Sequence, residues 1–141
     1  MPDAKSLVID DEKPYAQGIA DLLTKEQFEV DMAESGPDGL KKIRETVYDI
    51  IITDLKMPEV DGEKILGQAL GRYPDVVVIM MTGYASSESA VNTMKMGAFH
   101  YLAKPFKPPE LSILVKKALD QKRLRDENQY LRSQLKTKYR F

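Results

Sequence analysis

Short apolar runs alternate with amphipathic stretches along the whole chain. Residues 50–52 and 76–81 are continuous apolar runs rich in β-branched side chains, as is typical of strands buried on both faces of a parallel sheet, and the first of these strands is expected to continue to Thr53. Residues 27–33 alternate apolar and polar positions, which indicates a half-exposed strand. Residues 5–9 and 99–103 complete a set of five predicted strands.

Helical spacing of apolar residues fills the intervals between these strands. Residues 15–23 have this spacing, and so do the stretches around residues 40–43 and 65–70. Residues 86–96 form a fourth predicted helix with Ala90, Val91 and Met94 facing inward and Gly97 as its C-cap. A long last helix begins at Pro108-Pro109. This β-α alternation predicts an α/β fold with a doubly wound, five-stranded parallel sheet.

The composition excludes several kinds of site but does not by itself indicate a function. The 141 residues suffice for one domain and an appendage, with 43% hydrophobic and 30% charged residues as in ordinary globular proteins. No cysteine is present, which excludes disulfides, thiol nucleophiles and cysteine-ligated metals. The apolar runs are too short to span a bilayer, and residues 1–5 leave no room for a signal peptide. We therefore expect a cytoplasmic protein without membrane contact.

Polar side chains of particular kinds follow the predicted strands. Asp10 and Asp11 end the first strand, Asp54 the third and Thr82 the fourth, while Lys104 follows the fifth. Right-handed crossovers bring all carboxyl ends of parallel strands to one edge, where ligands of such sheets bind. Asp54 is expected at the strand tip, beyond its hydrogen-bonded ladder. Taken alone, Asp54 would more readily be interpreted as a residue that caps a turn, but its companions favour a functional site.

The expected cluster has a definite chemistry. Carboxylates that lie together repel one another, so either their pKa values rise or a cation neutralises them. An oxygen-only ligand set without His or Cys favours a hard ion such as Mg²⁺. A carboxylate beside Mg²⁺ can act as a nucleophile towards phosphorus. Lys104 can pair with phosphoryl oxygens, and the Thr82 hydroxyl can donate to another oxygen. The sequence thus indicates phosphoryl chemistry at Asp54.

Five short motifs surround the residues named above: Asp10-Asp11, Asp54-Leu55-Lys56-Met57-Pro58, Asp61-Gly62, Thr82-Gly83 and Lys104-Pro105-Phe106. In this order they resemble the receiver domains of response regulators, over about residues 4–120. The resemblance implies a flavodoxin-like sheet in the order 2-1-3-4-5 and a cis bond before Pro105.

The resemblance also implies a role for each matching residue. Asp54 is expected to be the phosphoacceptor. Asp10, Asp11, Asp54 and the backbone carbonyl of Lys56 are expected to hold Mg²⁺.

Thr82 and Lys104 are expected to bind the phosphoryl group. Tyr101 stands at the family's aromatic switch position, where its ring would become buried as Thr82 moves; the alternative is an ordinary half-buried strand tyrosine. His100 is expected to be a surface residue.

The last helix carries the basic excess of the chain. Residues 116–141 have a net charge of +6 and the remainder −7. A heptad seam of Leu124, Asn128, Leu131 and Leu135, with the polar Asn128 fixing register, predicts a parallel homodimer. The alternative is a solvated helix with no partner. We therefore divide the chain into a receiver domain, 1–120, and a coiled-coil linker helix, 121–141. The linker helix continues an extended C-terminal helix and is expected to be the start of a linker to an output domain.

The linker resembles that of NtrC-like, sigma-54-dependent activators, in which it leads to AAA+ and DNA-binding output domains. The predicted function is two-component signal transduction: Mg²⁺-dependent phosphotransfer from a sensor histidine kinase to Asp54 alters dimerisation and controls a transcription-activating ATPase. On this prediction the chain is not an enzyme, apart from its own phosphorylation and dephosphorylation. One alternative is an Mg²⁺-dependent phosphohydrolase with an Asp nucleophile. Direct nucleic-acid binding by the basic tail is not expected, because no recognition helix or aromatic platform is present.

Overall fold

The structure, a computed structural model, describes residues 4–83 and 88–138; within the last helix, side chains are described to residue 121 and at residues 124 and 131. The five strands are β1 (Lys5–Ile9), β2 (Glu29–Ala33), β3 (Ile50–Asp54), β4 (Val77–Thr82) and β5 (His100–Ala103). The five helices are α1 (Lys13–Lys25), α2 (Gly36–Glu45), α3 (Gly62–Arg72), α4 (Glu88–Met96) and α5 (Pro108–Lys138).

The strands form one parallel sheet in the order β2-β1-β3-β4-β5, which confirms the predicted fold and order. One expectation about β3 is wrong. Asp54 is the last residue of the ladder, in register with Met81, rather than a residue beyond it. The ladder reaches Asp54 because the neighbouring strand β4 continues to Thr82, so that Thr53 and Asp54 still pair with residues of β4.

The central strands bury both of their faces. Ile50 and Ile52 point into a cluster with α1 and the start of α5, whereas Ile51 points into a second cluster with α2, α3 and α4. In β4, Val78 and Met80 belong to the second cluster. Side chains alternate between the faces of a strand, so a strand covered by helices on both sides reads as an unbroken apolar run.

Helix α4 meets the sheet through small residues. Ala90 and Thr93 are fully buried, and the Thr93 hydroxyl donates to the Ala90 carbonyl at 2.7 Å. Val91 and Met94, predicted to face inward, are instead 49% and 36% exposed. Because the Thr93 hydroxyl bonds a carbonyl of its own helix, Thr93 can be buried at no loss of hydrogen bonding. The helix therefore packs on the sheet through Ala90 and Thr93. Gly97 ends this segment with a φ of +115°, as expected for a C-cap glycine.

Helix α5 begins in the core, whereas its later described side chains are exposed. Leu111, Val115 and Ala118 are buried against the first cluster. Further along, Leu124 and Leu131 are 65% and 56% exposed. The side chains of Asn128 and Leu135 lie outside the described residues, so the seam stays a prediction. The first residues of the predicted fourth helix, 86 and 87, also lie outside the described residues. None of the described helices is long and apolar enough to cross a membrane.

Gly62 brings the start of α3 against the end of β3. A Cβ at Gly62 would lie 2.6 Å from the Asp54 carbonyl oxygen and 2.7 Å from Met80 Sδ. The Gly62 N–H donates to the Leu55 carbonyl at 2.9 Å, which closes the loop of residues 55–61. The absence of a side chain at Gly62 therefore sets the backbone position at Asp54.

A partly buried hydrogen bond joins the segment before β3 to β2. Tyr48 is almost fully buried, and its hydroxyl donates to Asp31 Oδ2 at 2.6 Å. Burial and the Asp31 carboxylate both raise the pKa of Tyr48 well above its ordinary value.

We expect Tyr48→Phe to lower the free energy of unfolding by about 1–2 kcal/mol, because the Asp31 carboxylate loses its donor. Folding favours the neutral phenol, so its contribution is complete below the unfolded pKa of about 10 and is lost as pH rises above it. Denaturant titrations from pH 7 to 11 should show the wild type losing more stability than Tyr48→Phe. Asp31→Asn is the matched control and should weaken this alkaline loss; equal alkaline losses in wild type and Tyr48→Phe would contradict the assignment.

We expect Gly62→Ala to destabilise the fold by about 1–3 kcal/mol, because the added methyl group overpacks a backbone contact. Gly71→Ala in the same helix is the control. A Cβ at Gly71 meets nothing within 4 Å, so this change should be neutral or stabilising. Urea unfolding of both variants measures the difference, and equal effects would show that close packing at Gly62 is unimportant.

Candidate functional site

The predicted site residues converge at one edge of the sheet. Asp10 follows β1, Asp54 ends β3, Thr82 ends β4 and Lys104 follows β5. The backbone N–H of Lys104 donates to the Thr82 carbonyl at 2.8 Å, and the bond between Lys104 and Pro105 is cis, as the resemblance implies. The carboxyl ends of four strands therefore meet as expected from their parallel arrangement.

The Lys104 ammonium is the centre of this edge. Its Nζ donates to Asp10 Oδ2 at 2.9 Å and to Asp54 Oδ2 at 3.2 Å. Glu12 Oε1 lies 3.6 Å from the same nitrogen, and the centroid of the Tyr15 ring lies 4.3 Å from it. One cation thus links carboxylates from two strands and a helix terminus, against an aromatic face.

Burial and ion pairing act in opposite directions on the pKa values of Asp54 and Lys104. Burial raises the pKa of Asp54, and the nearby Asp10 carboxylate acts in the same direction, while the Lys104 charge opposes both. Burial acts to lower the pKa of Lys104, but its hydrogen bond to Asp10 and the charge of Asp54 outweigh this, so its pKa is raised. We conclude that the lysine stays charged. The Lys104 charge therefore offsets the effect of burial on the pKa of Asp54 only in part.

Four acidic side chains could hold a metal ion here. Asp10, Asp11, Glu12 and Asp54 each offer a carboxylate oxygen, and these oxygens lie within 4.8 Å of one another. Asp10 and Asp54 are buried, whereas Asp11 and Glu12 are exposed. A donor set made only of oxygens fits a hard cation.

Glu12 was missing from the predicted site. It occupies the N-cap position of α1, and its N–H donates to Asp10 Oδ1 at 2.9 Å. Its place directly after the acidic pair is a signal that could have identified it, because α1 starts at the same edge of the sheet.

A cavity of about 450 Å³ opens beside these groups. Lys56 lines it, as does Tyr15, which the sequence pattern had placed only on the apolar face of α1. Gly83 also lines it, whereas the preceding Thr82 is 1% exposed. The cavity leaves room for a small group next to Asp54.

Tyr101 lies on β5 in register with Met80 and is half-buried against the second core cluster. Its neighbour His100 is exposed, as expected. The position of Tyr101 fits either predicted role, so the switch stays a prediction.

Comparisons with known proteins agree with this geometry. Residues 7–116 match the family described as the response regulator receiver domain. The chain is 32% identical over 135 residues to the regulatory protein AtoC of Escherichia coli, a match that covers 96% of this chain and 29% of AtoC. The chain therefore spans less than a third of that relative.

Solved structures show the same fold. A CheY-like receiver domain protein from Methanospirillum hungatei superposes with a TM-score of 0.82 at 31% identity, covering 86% of this chain and 97% of that one. NtrX from Brucella abortus, solved in complex with ATP, gives a TM-score of 0.85 at 28% identity, covering 93% of this chain and 30% of NtrX. With its matching residues, sheet order and acidic edge, the chain belongs to the response regulator receiver domain family.

Proposed function

We propose that the chain is the phosphorylation-controlled receiver of a two-component system, and that Asp54 accepts a phosphoryl group from a sensor histidine kinase. The observation that carries the proposal is the placement of the Lys104 ammonium within hydrogen-bond distance of both Asp10 and Asp54. A cation fixed beside a carboxylate that faces a cavity is suited to receive phosphoryl oxygens.

The proposed step is a displacement at phosphorus. An Asp54 carboxylate oxygen attacks the phosphorus of a phosphohistidine, and a P–O bond forms as the P–N bond breaks. The bonding electron pair returns to the imidazole nitrogen, and Asp54 becomes an acyl phosphate. Lys104 exchanges its contact with Asp54 Oδ2 for a phosphoryl oxygen. Thr82 is buried beside the cavity, so its hydroxyl must turn towards the cavity to donate to another phosphoryl oxygen.

The acidic residues would hold Mg²⁺ during this step. Asp10, Asp11, Asp54 and the Lys56 carbonyl are the proposed ligands, with Glu12 close enough to take part. The bound ion would supply positive charge that offsets repulsion between the carboxylates and the phosphoryl oxygens. With the ion bound, Asp54 would remain ionised despite its burial, and the ionised carboxylate is the nucleophilic form.

The proposed output is a change in association between two copies of the chain. Movement of Thr82 and Tyr101 on phosphorylation would alter the surface beside α5, which begins four residues after Lys104. The exposed Leu124 and Leu131 fit the predicted seam of the 121–141 linker helix. Similarity to AtoC and NtrX supports an NtrC-like context, in which this dimer controls AAA+ and DNA-binding domains of a longer protein.

We expect Asp54→Asn to abolish phosphate incorporation from acetyl phosphate and Mg²⁺, because an amide cannot form the acyl phosphate. The label on the wild type should be stable to acid and labile to base. Asp21→Asn, at an exposed site on α1, is the matched control and should be labelled normally. Undiminished labelling of Asp54→Asn would refute the assignment, and steady turnover of a phosphate monoester would favour the phosphohydrolase instead.

We expect Mg²⁺ with beryllofluoride, a phosphoryl mimic, to change the molar mass measured by light scattering. Replacing both Leu124 and Leu131 by Ala should remove this change, since the seam loses its apolar contacts. Val47→Ala is the control, because Val47 is 61% exposed outside α5. A monomer whose mass stays the same under all conditions would refute the dimeric output.

A further inference from the structure

Tyr15 connects the acidic edge to the apolar interior. It lies in the first turn of α1 and is half-buried. Tyr15 lines two cavities. The first is the cavity beside Asp54, and the second is an apolar cavity between α1 and α5 that Leu22 and Phe106 also line. Lys104 Nζ lies over the face of the Tyr15 ring, 4.3 Å from the ring centroid.

The Tyr15 ring is itself held in place by a second aromatic residue. The ring centroids of Tyr15 and Phe106 lie 5.7 Å apart with an interplanar angle of 61°, an edge-to-face arrangement. Phe106 follows Lys104 by two residues, so the aromatic pair joins α1 to the segment that carries the lysine. The position of the ring and the position of the ammonium are therefore coupled.

The contact with the Tyr15 ring restricts a side chain, Lys104, that is otherwise flexible. The lysine side chain has four rotatable bonds, and its ammonium bonds two carboxylates that must also accommodate phosphoryl transfer. An aromatic face attracts a cation without offering a hydrogen-bond acceptor, so it holds the ammonium and leaves its N–H groups for oxygens. It also keeps water from that side of the nitrogen.

We propose that Tyr15 is a positioning residue for phosphoryl transfer, whose ring face fixes the Lys104 ammonium. This inference rests on the proposed function of Asp54. The ring acts through its π face rather than through its hydroxyl, and Phe106 sets its orientation.

The test compares rate constants for phosphorylation by acetyl phosphate with Mg²⁺, a small donor that avoids any effect on kinase docking. Tyr15→Phe keeps the ring face, Tyr15→Leu removes it but keeps an apolar side chain, and Leu22→Ala alters the packing of the same apolar cavity away from Lys104. Each substitution is made in the wild type, Tyr15→Leu also with Lys104→Gln, and stability is measured by urea unfolding.

We expect Tyr15→Leu to slow phosphorylation about three- to tenfold, and Tyr15→Phe to stay within about twofold of the wild type. Leu22→Ala should lower stability without slowing phosphorylation. With Lys104→Gln, adding Tyr15→Leu should cause no further loss, because the cation that the ring holds is gone.

Three results would overturn the inference: a normal rate for Tyr15→Leu, equal losses in Tyr15→Phe and Tyr15→Leu, or a full additional loss in the Lys104→Gln protein. Asp54→Asn is run in parallel, so that failure of the proposed function is distinguishable. If Asp54→Asn is labelled like the wild type, both proposals fall; if it is unlabelled while Tyr15→Leu reacts normally, only the role of Tyr15 falls.

Discussion

The compensation of two buried carboxylates by one lysine is the constraint on which this site depends. Taking a charge out of water is costly unless it is paired, and Asp10 and Asp54 lie side by side at the ends of adjacent strands. Lys104 comes from β5, which β4 separates from β3. Since neighbouring strands are about 4.8 Å apart, its long side chain must reach across the end of β4 to meet both carboxylates.

Backbone contacts flank the Lys104 side chain where it crosses the end of β4. β4 ends in Thr82, whose carbonyl accepts the N–H of Lys104 and so fixes where the lysine leaves the sheet. On the far side, Gly62 lets α3 begin directly against the Asp54 backbone. The charged groups are thus held by backbone contacts on both sides, as electrostatic preorganisation requires.

The two ends of the sheet edge differ in the side chains that pack against them. The β1–β3 side carries the acidic residues over a tightly packed core. On the β5 side, α4 meets the sheet through the small residues Ala90 and Thr93, and Tyr101 is only half-buried. Interfaces built from small side chains bury less apolar area per residue, so this side has less packing energy to resist a rearrangement.

The sequence alone determined the α/β fold and the convergence of Asp10, Asp54 and Lys104. Periodicity identifies strands and helices, and the parallel arrangement sends every strand's carboxyl end to one edge. Only the tertiary structure showed that Glu12 and Tyr15 join the site and that Val91 and Met94 face outward. Apolar spacing records which side chains are hydrophobic, but their neighbours depend on how each helix is rotated against the sheet, and that rotation is set by contacts distant in sequence.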